Sequence, residues 1–465
     1  MISLRIINPS ISPMREESKT KHQQRLSIVS DNPPGFRRVP RTGVIYVMHR
    51  AAQQGFAYGD PEWANLGQGM PETGELPGAP PRIEQLTIDP RAQEYSPITG
   101  QIELRQKVAD LYNTLYRQGK ASQYTWRNVS IAGGGRVALT RLAAALGNIN
   151  MGHFLPDYTA YEELLSVFKA FIPIPILLDP DEGYQVSLGH LRREIQGRGL
   201  QALLASNPCN PTGQLVEGER LRLWVQMVRE LGCSLILDEF YSHYIYTGQL
   251  YGNRINGEQG DEQSLLQPPR MVSAAAYVED VNEDPVILVD GLTKNWRYPG
   301  WRISWTLGPE AVIGAIASAG SFLDGGPNNP FQSQVLELLE PENVYRETAA
   351  IQSCFREKRD YMLGRLRAMG IRTDAEPGGT FYVWANLADL PAPLNDGLTF
   401  FKAGLQEKVI TVPGIFFDVN PEQRRAQGRY GNYARISFGP SMSELMRGLD
   451  ALERVVSPNR PPRID

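Results

Sequence analysis

Cysteine is scarce: only Cys209, Cys233 and Cys354 occur in 465 residues. Three scattered thiols cannot form a disulfide framework, which excludes a small stapled secreted scaffold. Long apolar runs are also missing. Even with proline counted, the longest, FIPIPILL at residues 171–178, falls far short of the roughly 20 residues that cross a bilayer. The opening MISLRIINPSISPMREESKTKHQQ lacks the apolar core of a signal peptide. These absences predict a cytoplasmic protein with reduced thiols and no membrane span. An excess of charge is lacking too, since 47 Lys and Arg stand against 51 Asp and Glu for a net charge of −4. No positive field exists to draw the chain onto nucleic acid or an acidic membrane. The five histidines, His22, His49, His153, His190 and His243, show neither an H-E-x-x-H pattern nor spacing with cysteine, so no catalytic metal is expected.

What remains is an ordinary globular composition. Hydrophobic residues at 42% and charged residues at 21% exclude wholesale disorder, and at about 100 to 200 residues per domain the length suits two or three domains. Residues 1–65 are rich in Pro, Ser, Arg and Gln with little periodicity, which predicts an extended surface arm with only GVIYVMHRAA, 43–52, ordered. Further on, short apolar runs alternate with helical patterns: VSIA from Val129, IPILLD from Ile174, ALLAS from Ala202, SLILDE from Ser234 and PVILVD from Pro285. This alternation predicts an α/β fold with a mostly parallel sheet covered on both faces.

Between ALLAS and SLILDE, Leu221, Trp224 or Val225, Val228 and Leu231 recur at three- and four-residue steps, and Gly232 closes the helix. A longer helical pattern from Val344 to Met369 carries Ile351, Phe355, Met362 and Leu366 on one stripe and stops at Gly370. It opens a C-terminal domain. Residues 248–284 are polar and turn-rich, an insertion between two core strands. The predicted organisation is a large domain over residues 66–335, with that insertion, and a smaller α+β domain over 336–465 joined by the arm 1–65.

Three segments at predicted strand ends carry the chemistry. NPCNPTGQ, 207–214, makes a tight turn after ALLAS. LDEFYSHYIY, 237–246, ends an apolar strand in adjacent carboxylates, Asp238 and Glu239, and the C-terminal ends of strands are where ligands bind in open α/β sheets. DGLTKNWRYPGWRISW, 290–305, follows another apolar strand and carries Lys294, with Arg302 eight residues later. In this order Asn210, Asp238, Tyr241, Lys294 and Arg302 resemble the cofactor site of the class I/II aminotransferase family, the fold type I pyridoxal-phosphate enzymes that include aspartate aminotransferase. The likeness runs over roughly residues 65–445, and its parts keep their order: N-P-T-G, a D-x-x-Y 28 residues after Asn210, a Lys 56 residues after Asp238, then G-W-R. It implies a seven-stranded-type sheet, pyridoxal 5′-phosphate as cofactor, amino acid and 2-oxo acid substrates, and a homodimer with shared active sites.

The residue types suit that chemistry. A pyridoxal cofactor needs a lysine amine, partly deprotonated by its surroundings, to form a Schiff base and carry protons; Lys294 is the candidate. The ring nitrogen must stay protonated beside a buried carboxylate, which Asp238 supplies, while Glu239 is expected on the opposite side of the strand. By resemblance the amide of Asn210 and the hydroxyl of Tyr241 hold the phenolic oxygen, Tyr158 of PDYTAY stacks on the ring, and Tyr95 of EYSPITGQIELR crosses to the neighbour's phosphate. For the chain's own phosphate, IAGGGRVALTRLAAALG offers Gly133, Gly134 and Gly135 ahead of a helix starting near Arg136. Alignment through Ala138 and Leu139 places Gly134, Gly135 and Arg136 around the phosphate, with Arg302 as its guanidinium partner. Two positions depart from the pattern, Gly291 and Gly134, where the family usually carries hydroxyls. Thr293 or Arg136 is the candidate to compensate.

For the substrate, YARISFG, 433–439, resembles the strand whose arginine pairs with the α-carboxylate, here Arg435. NLGQGMPETG, 65–74, resembles the segment that closes over the substrate, with Gly67 or Gly69 near the carboxylate. GGTFYVWANL and VITVPGIFF read as core strands of the small domain, with Phe416 and Phe417 as candidates to border the pocket, and Cys209 as a packed small residue. The resemblance implies transamination through a Lys294 Schiff base and pyridoxamine phosphate. The same residues also serve elimination or cyclisation, as in enzymes resembling 1-aminocyclopropane-1-carboxylate synthase. A ligand-sensing regulator built on this fold is disfavoured, because residues 1–65 show no helix-turn-helix pattern or basic excess.

Overall fold

The computed structural model describes residues 35–36, 43–168, 170–248 and 268–457. Helix α1 (Gly43–Gln53), the short strand β1 (Ala64–Asn65) and helix α2 (Ile102–Tyr116) come first. Strands and helices then alternate through β2 (Val129–Ala132), α3 (Gly135–Ala145), β3 (Asn150–Leu155), α4 (Ala160–Val167), β4 (Ile172–Leu177), α5 (Leu188–Gly197), β5 (Leu200–Ser206), α6 (Gly218–Leu231) and β6 (Ser234–Asp238). Next stand β7 (Val286–Gly291), β8 (Ser304–Leu307), α7 (Glu310–Leu323) and the long α8 (Pro341–Ala368). The chain continues with β9 (Arg372–Thr373), β10 (Tyr382–Asn386), α9 (Gly397–Gln406), β11 (Val409–Ile410), β12 (Val412–Pro413), β13 (Tyr433–Ser437) and α10 (Met442–Val456).

The main sheet has seven strands in the order β2-β8-β7-β6-β5-β3-β4. All neighbours run parallel except β8, which is antiparallel to β2 and β7. Its central strands lack polar alternation because both faces are covered. Leu204, Ile236 and Ile287 enter one apolar cluster while Leu203, Leu235 and Leu288 enter the other, each fully buried side chain contributing about 1.5 to 3 kcal/mol. Helix α6 lies on this sheet through Leu221, Trp224, Val225 and Val228, and Gly232 ends it in the left-handed conformation at φ 62°. Helix α8 buries Val344, Ile351, Phe355, Met362 and Leu366, the predicted stripe; Pro341, harmless in a first turn, starts it three residues earlier than the periodicity suggests. Among the described residues, no helix is long and apolar enough to cross a membrane.

A second, four-stranded sheet has the order β12-β13-β10-β9 and is antiparallel throughout. The ordered part of the predicted arm is longer than GVIYVMHRAA. Trp63 is buried with Val47 and Ala51 of α1 against Trp384, Phe401 and Phe417, Phe56 meets Trp63 edge-on at 5.5 Å, and β1 pairs in parallel with β11. Those few aromatics sit in turns without a helical or strand period, so periodicity does not reveal them. The expected arm over residues 1–34 and 37–42 lies outside the described residues, as do residues 249–267 of the expected insertion. Its C-terminal part is firmly packed: Ala274, Ala275 and Val278 are buried, and Asp284 takes both ends of the Arg229 guanidinium at 2.6 Å.

Candidate active site

Parallel strands place their C-terminal ends side by side, and here those ends carry the chemistry. Asp238, last in β6, is in register with Ser206 at the end of β5 and with Val289 of β7. The turn after β5 delivers Asn210, the loop after β7 delivers Thr293 and Lys294, and the glycines after β2 lead into α3. Together they border a cavity of about 500 Å³. Of the residues predicted from sequence, Gly69, Gly135, Arg136, Tyr158, Asn210, Asp238, Tyr241, Thr293, Lys294, Arg302 and Arg435 all line it.

The Lys294 amine donates to the Gly69 carbonyl. Burial, reinforced by the guanidinium groups of Arg435, Arg136 and Arg302, brings it down to about 7, against the pull of Asp238. Asp238 is pushed up to about 6 by burial, while the Tyr161 hydroxyl, the Phe240 N–H and Lys294 work in the opposite direction. The Tyr161 hydroxyl donates to Asp238 Oδ2 at 3.0 Å from α4. Glu239 faces away, as expected from strand alternation: it is buried and accepts from the Ser273 hydroxyl at 2.6 Å and the Ala274 N–H at 2.9 Å. The foot of the lysine loop is fixed by Asn295, whose Nδ2 donates to Asp290 Oδ1 at 2.9 Å and to the Glu239 carbonyl at 3.2 Å.

Arg435 is sandwiched. Its guanidinium carbon lies 4.1 Å from the Tyr382 ring centre and 5.1 Å from that of Phe417. One terminal nitrogen donates to Asn210 Oδ1 at 3.0 Å and the other to the Gly67 carbonyl at 2.8 Å, while Nε is buried with no partner. Tyr241 shares a 2.9 Å hydrogen bond with the Tyr382 hydroxyl. Tyr382, read as a core residue from GGTFYVWANL, thus has a double life: it is fully buried, yet its side chain borders the cavity.

The two glycine departures have a steric reason. Gly134 has φ +100°, and a Cβ there would stand 2.1 Å from the Arg302 guanidinium, so the arginine reaches the N-terminus of α3 only past a glycine. A Cβ at Gly291 would stand 2.5 Å from Ser304 Cα of β8. Neither position has room for a hydroxyl. Thr293 has one, and its Oγ1 is buried without a partner. Helix N-terminal amides, a guanidinium and an unpaired hydroxyl are the donor set that an anion such as phosphate requires.

Several residues stand elsewhere. Tyr95 is 97% exposed and not among the lining residues. Gly134 sits behind Arg302, and Phe417 packs beneath Arg435 instead of bordering the cavity, while Phe416 meets Tyr46 at 5.3 Å. Cys209 is a buried thiol pushed up to about 12 by burial. Sequence reasoning missed Tyr161, Tyr382, Phe240 and Val44; only Tyr161 left a trace, three residues after Tyr158 at the start of a helix. Among the described residues, no cluster of His, Cys, Asp and Glu is arranged to hold a metal.

The family model for aminotransferase class I and II matches residues 61–452. Aspartate/prephenate aminotransferase of Thermus thermophilus is 26% identical over 368 residues, covering 78% of this chain and 83% of that protein. A probable N-succinyldiaminopimelate aminotransferase of Mycobacterium tuberculosis is 26% identical over 404 residues, covering 83% and 92%. Among solved structures, aspartate aminotransferase from Thermus thermophilus with maleate superposes with a TM-score of 0.69 at 23% identity, covering 90% of this chain and 100% of that one. An aminotransferase from Mycobacterium tuberculosis gives 0.71 at 22% identity, covering 92% and 100%. These likenesses show the same fold.

Proposed function

The chain belongs to the class I and II aminotransferases, and from that premise we propose that its cavity binds pyridoxal 5′-phosphate on Lys294 for amino transfer between an amino acid and a 2-oxo acid. Members of this family are pyridoxal-phosphate enzymes acting on such substrates. One observation carries the reading: Lys294, Asp238, Arg302 and Arg435 converge on a single cavity. Elimination or cyclisation draws no support from the relatives, whose names are those of aminotransferases.

When bound, the cofactor supplies an electron-withdrawing ring beside the substrate Cα. Asp238 would keep the ring nitrogen protonated, and Tyr158 would supply an aromatic surface for the ring. Because Arg435 donates to Asn210 Oδ1, the other end of that amide is the donor left for the phenolic oxygen, alongside the Tyr241 hydroxyl. Arg302, Thr293 Oγ1 and the first amides of α3, at Gly135 and Arg136, take the phosphate. Arg435 holds the α-carboxylate with Gly69 close by, its unpaired Nε completing a bidentate contact. Lys294, whose amine burial brings down to about 7 in the cofactor-free site, would be the base that takes up and gives back the substrate's Cα proton.

In the same proposal residues 66–335 form the cofactor domain and residues 43–65 with 336–457 the smaller one; residues 1–34, 37–42 and 458–465 of the expected 1–65 and 336–465 lie outside the described residues. The exposed Tyr95 reaches the phosphate of a second copy in a homodimer. Three unpaired thiols suit a reducing cytoplasm.

An absorbance spectrum tests the reading. Protein supplied with pyridoxal phosphate is expected to show a visible band that moves to the near ultraviolet on adding amino acids, with release of a 2-oxo acid. No band would undo the assignment of Lys294, and release of a different product would favour elimination. Gly134→Ala is expected to push Arg302 away and weaken pyridoxal-phosphate binding about ten- to hundredfold, the loss of a charge-assisted hydrogen bond or two. An unchanged Kd in a fluorescence titration would take Arg302 off the phosphate.

A further inference from the structure

One buried carboxyl group beside the cavity takes no part in the chemistry proposed so far. Asp157 follows β3 and is 1% exposed. Its Oδ1 accepts from the Ser206 hydroxyl at 2.7 Å and from the Tyr158 N–H at 2.7 Å. The Ser206 hydroxyl in turn accepts from the Asn210 N–H at 3.1 Å, and the Asp157 N–H donates to the carbonyl of Phe417, the residue packed under Arg435, at 3.2 Å. One residue therefore joins the backbone of the expected ring-stacking Tyr158, the turn that delivers Asn210, and the support of Arg435.

The other oxygen, Oδ2, is buried with no partner. No ion pair reaches it among the described residues, and the charged group facing it is another carboxylate, Asp238. Tyr161 faces it from the site side. On the far side lies a cavity of about 30 Å³ bordered by Asp157, Ser206, Cys209, Tyr184 and Trp224, space for one water; the Trp224 indole N–H is also buried without a partner. No cation is among these neighbours. An ionised carboxylate here would carry a buried oxygen with no protein donor next to a like charge, which is far costlier than a neutral acid whose carbonyl accepts both hydrogen bonds. Burial accordingly pushes the group up to about 8, against the bonds from Ser206 and Tyr158.

We propose that Asp157 works as a neutral carboxylic acid, a positioning residue that fixes Ser206 and Tyr158 and, through Ser206, sets Asn210 for the cofactor's phenolic oxygen. The link to Asn210 rests on the pyridoxal-phosphate reading; the neutrality of Asp157 does not. Asp157→Asn keeps the carbonyl acceptor and places an N–H where the acid has its O–H, whereas Asp157→Ala removes the acceptor.

Two measurements on the full chain decide it. The first is thermal unfolding of cofactor-free wild type and Asp157→Asn from pH 5 to 8. An acid with a raised folded pKa keeps its proton in the fold while the unfolded chain has already released it, so it withdraws stability progressively as pH rises through that window. The midpoint of the Asn variant is therefore expected to gain on wild type as pH rises. A difference that stays flat across the window, whichever protein it favours, would show an ionised Asp157 and overturn the proposal. The second is pyridoxal-phosphate affinity. Asp157→Asn is expected within about threefold of wild type and Asp157→Ala weaker by about tenfold, and only wild type should lose affinity above about pH 8. Equal losses in both variants, or none in either, would remove the positioning role. Failure of wild type itself to bind pyridoxal phosphate would instead sink the cofactor reading and, with it, the link to Asn210.

Discussion

Lys294→Ala is expected to lower turnover by about 10⁴-fold or more while leaving a folded protein, because in the proposed function the amine is both the anchor and the base that moves the Cα proton. Retained steady-state activity would end the assignment. Loss of activity alone, however, does not separate a chemical role from a damaged fold, and the electrostatics of the site supply the distinction. Lys294 is held at about 7 against an ordinary 10.5 by burial and three guanidinium groups. Between these values the unfolded chain carries a proton that the fold has released, so the lysine withdraws stability at and below pH 7 and restores it as pH rises towards 10. Lys294→Met, which is unbranched, only one atom shorter and uncharged, is therefore expected to raise the thermal midpoint of the cofactor-free protein at pH 7. That gain should shrink as pH rises. A lower midpoint of constant size at every pH would mean that the amine is not held in a desolvated, cationic surrounding.

How much of this was legible beforehand follows from what each residue interacts with. Strands β5, β6 and β7 announce themselves because burial on both faces demands unbroken apolar runs, and α6 because Gly232 takes the left-handed conformation that closes it. Lys294, Asp238 and Arg302 stand out because they lie beside apolar strands and their order and spacing resemble the family's pattern, with residue types that the proposed chemistry would use. Tyr382 does not stand out, since a tyrosine inside an apolar strand reads as core and only the approach of Tyr241 and Arg435 reveals its polar end. Asp157 and Tyr161 are hidden for the same reason: their partners Ser206 and Asp238 are 49 and 77 residues away. The glycines at 134 and 291 look like missing hydroxyls until Arg302 and β8 are seen to fill the space a side chain would need. Tyr95 stands apart: its proposed role rests on the likeness of EYSPITGQIELR alone, and within one chain it is simply exposed.

Asp238→Asn is expected to lower kcat/KM about 10²- to 10³-fold, the scale of removing one preorganised charge from a buried site. In the proposed function the carboxylate would stabilise a protonated ring nitrogen, and an amide of the same shape would not. The distinctive readout is pH. In the cofactor-free site burial holds Asp238 at about 6 while the Tyr161 hydroxyl favours its ionised form, so the affinity of the wild type for pyridoxal phosphate should fall as pH drops through that region and the carboxylate takes up a proton. Tyr161→Phe removes the donor at 3.0 Å without removing the ring; it is expected to cost about tenfold in kcat/KM and to move the acid limb of that affinity to higher pH, because the neutral carboxyl form then gains ground. In Asp238→Asn the same limb should vanish, since the group that titrates is gone. An acid limb that persists unchanged in Asp238→Asn would place the titrating group elsewhere, and one that ignores Tyr161→Phe would show that the hydroxyl of Tyr161 does not tune the carboxylate it touches.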